Sequence, residues 1–168
     1  MGKSEIIAID WPHGRLELRP ETPDDQLFRF VLFCNSRLPE WDLVEPGFRA
    51  QVMQHQFQAQ TVSYEREFPD ARFDIVELDG EPIGRIVVDR EPSLVHLVDQ
   101  AIVPEQRNRG IGTAIMHDLM AKAATDGLPV QLEVASDNDP CIGLYRRLGF
   151  RQTEVAELYL RMMWRPES

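Results

Sequence analysis

An apolar run closing at Ile102 and Val103 is followed, past Pro104, by Arg107, Asn108 and Arg109, by glycines at 110 and 112 flanking Ile111, and then by a helix-periodic stretch from Thr113. This strand-to-helix turn constrains the chain more than any other segment. Glycine at 110 and 112 relieves the backbone of Cβ clashes, so successive N–H groups between Asn108 and Thr113 can face one concavity at a helix N-terminus. Arg107 and Arg109 add positive charge beside it, which suits a phosphate. Two other phosphate loops are excluded. A Walker loop needs Lys-Ser/Thr after its last glycine, where Thr113 and Ala114 stand, and a dinucleotide fingerprint needs glycine where Ile115 stands.

Downstream, residues 130–135 read as a strand and residues 140–148 as a short helix. Asp139 is the expected N-cap with Pro140 in the first helical position, Cys141, Leu144, Tyr145 and Leu148 share one face, and Gly149 stops the helix.

Together these two segments resemble the GCN5-related N-acetyltransferase (GNAT) family. Its coenzyme motif, Arg/Gln-x-x-Gly-x-Gly/Ala, falls on Arg107, Gly110 and Gly112. Its later signature, Asn-x-x-Ala-x-x-x-Tyr-x-x-x-Gly-Phe, falls on Asn138, Cys141, Tyr145, Gly149 and Phe150, with cysteine replacing alanine. The resemblance extends over roughly residues 71–165.

The rest of the chain agrees with one α/β domain of α+β type spanning residues 1–168. Residues 15–19 alternate as a strand; a helix capped by Asp24 runs to about Ser36 and turns Leu27, Phe30, Val31 and Cys34 inward. Residues 38–46 read as a loop, and Gly47 to about Glu67 as a second helix holding Val52, Met53, Phe57 and Val62. Residues 72–78 and 83–89 form a hairpin about Asp79-Gly80, and residues 94–103 follow as the next strand. A helix from Gly112 to about Thr125, the strand at 130–135, the helix at 140–148 and a closing pair around 151–153 and 157–164 complete the order. The resemblance implies a mixed, mostly antiparallel, twisted sheet of about seven strands, splayed between the fourth and fifth and flanked by about four helices.

Charge narrows the partners. With 18 Lys and Arg against 28 Asp and Glu the formal net charge is −10, which disfavours nucleic acid and anionic membranes, since both need a cationic face. Two cysteines far apart, with no secretory apolar segment in the first ten residues, point to reduced thiols and a cytoplasmic home. No metal-ligand pattern is present. A homodimer is left open.

The resemblance implies acetyl-CoA as co-substrate, with main-chain groups of Ile102 and Val103 binding the pantetheine arm and residues 107–113 the pyrophosphate. It implies direct attack of an amine of a small molecule or peptide on the thioester, without an acyl-enzyme. Tyr145 then matches the family tyrosine that protonates the leaving thiolate, and Asn138 a loop residue contacting the coenzyme; from spacing alone they are also a core aromatic and a turn-forming residue. An alkyl ammonium must first lose a proton, at a cost of about 4.6 kcal/mol at neutral pH. His96 and Glu133 are the candidate bases, while strand alternation turns Asp99 to the face opposite His96. Trp41, Glu45, His55 and Tyr64 are available near the acceptor without forming a pattern. The alternative on the same fold is a noncatalytic acyl-CoA sensor or interaction module.

Overall fold

The computed structural model describes residues 3–37 and 44–168. Most of the loop expected at 38–46, including Trp41, lies outside the described residues. One eight-stranded sheet runs through the chain in the order β1-β2-β3-β4-β5-β6-β8-β7. Its strands are β1 (Ile7–Ile9), β2 (Leu16–Pro20), β3 (Arg72–Leu78), β4 (Glu81–Arg90), β5 (Val95–Ile102), β6 (Val130–Ala135), β7 (Arg151–Val155) and β8 (Tyr159–Trp164). Four α-helices among the described residues flank it: α1 (Gln26–Asn35), α2 (Pro46–Glu67), α3 (Ile111–Thr125) and α4 (Asp139–Arg147). The strand beyond the expected seven is β1, whose three residues are too few for alternation to reveal. The expected fourth and fifth strands are therefore β5 and β6.

Every neighbouring pair is antiparallel except β5 and β6, which run parallel and pair only between Val95–Leu97 and Val130–Leu132. Beyond Leu97 and Leu132 the two strands part. On one face, Ile111, Ile115, Met116 and Ala123 of α3 and Ile142 and Tyr145 of α4 pack on Val95, Leu97, Val130 and Leu132 in the main core. On the other, α1 and α2 share a smaller cluster of Phe33, Met53 and Phe57. Burial of such side chains contributes about 1.5–3 kcal/mol each, so the α3 face carries most of the stability.

The inward stripe of α1 differs from expectation. Leu27 is 74% exposed and Val31 47%, and Leu32 and Phe33 are buried in their place. The cause lies upstream: a 3₁₀ turn at Pro23–Asp25 precedes the helix, and Asp25 is held bidentately by Arg19 at 2.8 Å for both bonds. That anchor sets the rotation of α1, which is wedged between α2 and β4. Val62 of α2 is likewise exposed, on the side of the helix away from Met53 and Phe57.

Two irregularities in β4 and β5 set which side chains of these strands share a face. The register shifts between Val87, which faces Asp99, and Val88, which faces Leu97, leaving Val98 as the extra residue of a bulge. Gly84 sits where a Cβ would lie 2.4 Å from the Ala101 carbonyl oxygen, so only glycine permits this approach of the strands.

Candidate functional site

The turn after β5 opens α3 with Gly110 at its N-cap in the left-handed region, φ +81°, and Asn108 adopts φ +61°. The helical ladder begins with the Ala114 amide donating to the Gly110 carbonyl at 3.0 Å. The amides of Ile111, Gly112 and Thr113 thus have no preceding carbonyl to meet and form an anion-accepting helix start. Arg107 and Arg109 are exposed beside it; Arg107 Nε donates to the Ile102 carbonyl at 2.9 Å and Arg109 to the Gln106 side chain. A Cβ on Gly110 would meet the Trp11 ring at 3.6 Å, so this residue walls the turn.

Hydrogen-bond alternation decides which main-chain groups of β5 face the gap. The Val103 amide donates to the Ile83 carbonyl at 2.8 Å and is spent on β4. In an antiparallel ladder the alternate residues then turn outward, so Ile102 and Gln100 face the parting of β5 and β6. Ile102 was expected there from sequence; Gln100 was not, and only the register identifies it. Its side chain also reaches the Gly112 carbonyl at 3.4 Å.

Asn138, rather than the expected Asp139, caps α4: its side-chain oxygen accepts from the Cys141 amide at 3.3 Å. Asp139-Pro140 consequently begin the helix one residue earlier. Tyr145 packs within the core against Phe150 at 5.7 Å between ring centroids. Burial, with Cys141 and Asp99 adding to it, pushes the Tyr145 phenol above its usual range.

Across the sheet from α3 lies a cavity of about 900 Å³, lined by α1, α2, β4, β5, β6 and the start of α4. His96, Glu133 and Asn138 all open onto it. The His96 ring stands edge-on to Phe68 at 5.3 Å, and Glu133 at the rim is ion-paired to Arg161 at 3.0 Å.

Asp99 also lines the cavity, contrary to the expected orientation. Directly opposed residues share a face: Val87 opposes Asp99 and Asp89 opposes His96, and the bulge at Val98 absorbs the odd residue between them. Simple alternation fails at that bulge. Burial raises the Asp99 carboxyl above the ordinary aspartate range, with Arg85, Arg37 and the Gln100 amide opposing in part. Its charge reaches both Tyr145 and Tyr64, linking the two faces through the gap. The available sequence signal is a carboxylate inside an apolar strand.

Of the residues considered near the acceptor, Tyr64 lines the cavity and its phenol is raised by burial and by Asp99. Glu45 instead caps α2, accepting from the Gly47 and Phe48 amides at 3.1 and 2.8 Å. His55 is exposed on a shallow groove along α2. Cys34 and Cys141 are free thiols. Among the described residues no group of three or more His, Cys, Asp or Glu could hold a metal ion, and no helix is long and apolar enough to cross a membrane.

Known acetyltransferases resemble the chain in sequence and in fold. An N-alpha-acetyltransferase of Sulfurisphaera tokodaii is 36% identical over 104 residues, 54% of this chain and 62% of that protein. An uncharacterized N-acetyltransferase of Methanocaldococcus jannaschii is 34% identical over 103 residues, 55% of this chain and 45% of that protein. The chain thus spans about half the length of the curated relatives it matches. The PaiA N-acetyltransferase of Thermoplasma acidophilum, crystallised with coenzyme A, shares the fold with a TM-score of 0.68 at 15% identity, over 89% of this chain and 98% of that one. The model of the acetyltransferase (GNAT) family matches residues 37–150, which take in the sheet from β3 to β6, the glycine turn and α4; the chain belongs to that family.

Proposed function

We propose that the chain is an enzyme that moves an acetyl group from acetyl-CoA directly to an amine, with residues 1–168 acting as one catalytic domain. The observation that carries this is the parting of β5 and β6 beside the left-handed Gly110 turn, which joins an anion-accepting helix start to a cavity lined by a partly buried carboxylate, Asp99. The residues fit the coenzyme: first-turn amides and exposed arginines suit a diphosphate, and Gly110 at φ +81° holds the left-handed turn that presents those amides. Amides of Ile111, Gly112 and Thr113 with Arg107 and Arg109 would hold the diphosphate, and the Gln100 carbonyl and Ile102 amide the pantetheine arm, as an added strand is held. Acetyl-CoA supplies an activated thioester carbonyl.

Within the protein, Asp99 is best placed to take the proton from the acceptor ammonium. Its raised pKa narrows the gap to the amine, and its charge, partly withdrawn from water, attracts the cation. Tyr145 is assigned proton donation to the departing sulfur, since a neutral phenol at pH 7 is the required form. His96 shares the cavity and is the second candidate base. Glu133 is weaker, because Arg161 already holds it. The name of the Sulfurisphaera relative places the acetyl group on an α-nitrogen, which favours an α-amine as acceptor.

The test is an amine panel with free-thiol detection, alongside calorimetry with coenzyme A. Turnover with any amine supports the enzyme; binding without turnover across the panel would identify a coenzyme sensor. Absence of heat would remove both readings.

A further inference from the structure

The part of the cavity walled by α1, α2 and β4 is cationic, in a chain whose formal net charge is −10. Three arginines line it. Arg85 is 5% exposed and donates to Glu21 through Nε and Nη2 at 2.9 and 3.2 Å. Arg29 shares the same carboxylate, its Nε 3.5 Å away and without a hydrogen bond. Arg37 has no carboxylate partner among the described residues: its guanidinium lies 3.7 Å over the Phe33 ring and Nη1 donates to Ser36 Oγ at 3.2 Å. Glu67, the other acid on this wall, is solvent-exposed and takes the Ser63 hydroxyl at 2.9 Å.

Guanidiniums withdrawn from water with too few anions are destabilised. Arg29 shows the strain, its guanidinium being held below its usual range by burial and by neighbouring Arg85. Such a wall attracts an anion, whereas Asp99, near enough on β5 for Arg85 and Arg37 to act on its carboxyl, attracts an ammonium. We propose that the acceptor carries a carboxylate on the same molecule as its reactive amine, with the carboxylate held by Arg37 and Arg29 and the amine placed beside Asp99. This rests on the transferase reading. It specifies the substrate class as an amino acid, or a peptide that begins with an acidic residue. Arg37 anchors the anion because stacking on Phe33 leaves most of its five donors open.

Two measurements separate this subsite from the reaction. With coenzyme A saturating, calorimetry compares N-acetyl-glutamate and N-acetyl-aspartate with their carboxamides, and acetylated tripeptides starting with Asp with those starting with Asn. The carboxylate member of each pair is expected to bind at least tenfold more tightly, a preference that Arg37→Gln reduces to within twofold and Arg37→Lys partly retains. The same pairs as free amines, followed by thiol release, should differ in KM rather than kcat. Preference confined to the free amino acids or to the tripeptides assigns the source. Equal heats within each pair, no heat for any probe, or a preference unchanged in both Arg37→Gln and Arg29→Gln overturns the proposal. Carboxylate-selective binding without thiol release leaves the subsite standing and removes the transferase reading.

Discussion

The two ends of the cleft are built from different materials. At the β5–α3 end the anion-accepting groups are main-chain amides placed by one local turn, with Gly110 at φ +81° and the ladder starting at Ala114. At the α1–α2 end the groups are side chains drawn from distant segments: Arg29, Arg37, Tyr64, Arg85 and Asp99. A backbone site depends on few side chains and recurs as a compact motif, while a side-chain site can change one residue at a time. Under the proposed reading the backbone end takes the coenzyme and the side-chain end the acceptor.

Filling the backbone end should have the largest effect. Gly112→Trp is expected to weaken coenzyme A binding at least 100-fold by calorimetry with the fold intact, because a Cβ there meets only the Gln100 side-chain nitrogen at an ordinary 3.6 Å. Retained affinity would break the comparison at its first term.

Changes on the side-chain end should instead spare coenzyme binding and lower turnover. Asp99→Asn is expected to reduce kcat about 100-fold with an unchanged coenzyme Kd, whereas His96→Ala and Glu133→Gln should each cost less than about tenfold. A larger loss in His96→Ala than in Asp99→Asn moves the base to the histidine. Tyr145→Phe, between the two ends, should lower kcat roughly 10- to 100-fold with coenzyme affinity kept; full activity would return Tyr145 to a packing role against Phe150.

The smallest effect concerns stability and has a defined sign. Burial raises the folded-state pKa of Asp99 above its unfolded value near 3.8, so ionisation disfavours the fold as pH rises past that value. Asp99→Asn should therefore melt at a higher temperature than the parent at pH 7, and the advantage should fade as pH falls toward about 4 and be gone below it. Asp25 runs the other way. The Arg19 hydrogen bond, and further ones from Thr22, hold its carboxyl below the usual range, so its contribution is present above that range and is lost on acidification. A lower melting temperature for Asp99→Asn at pH 7 would show that the carboxylate is structurally satisfied.

Much of the fold was legible because its elements are regular. The alternation of β3 and β4 about Asp79-Gly80, the periodicity of α3 and the glycine stop at 149 are local signals, and the structure reproduces them within a residue or so. The departures have longer-range causes. Leu27 and Val31 point to solvent because Arg19 of β2 fixes the start of α1 through Asp25. Asp99 joins His96 in the cavity because Val98 bulges opposite a register shift in β4. Arg29, Arg37 and Arg85 read singly as surface charges, and only their gathering on one cavity wall, with Arg29 and Arg85 sharing Glu21, sets them apart.

By itself the chain of residues carried the family motifs, the order of the strands and helices other than β1, and the glycine turn, because each is written in residues a few positions apart. Tertiary structure alone decided which carboxylate faces the cleft, which main-chain groups of β5 remain open, and where positive charge collects. Those properties depend on register, bulge and burial, and physical chemistry assigns them only when strands and helices distant in sequence are brought side by side.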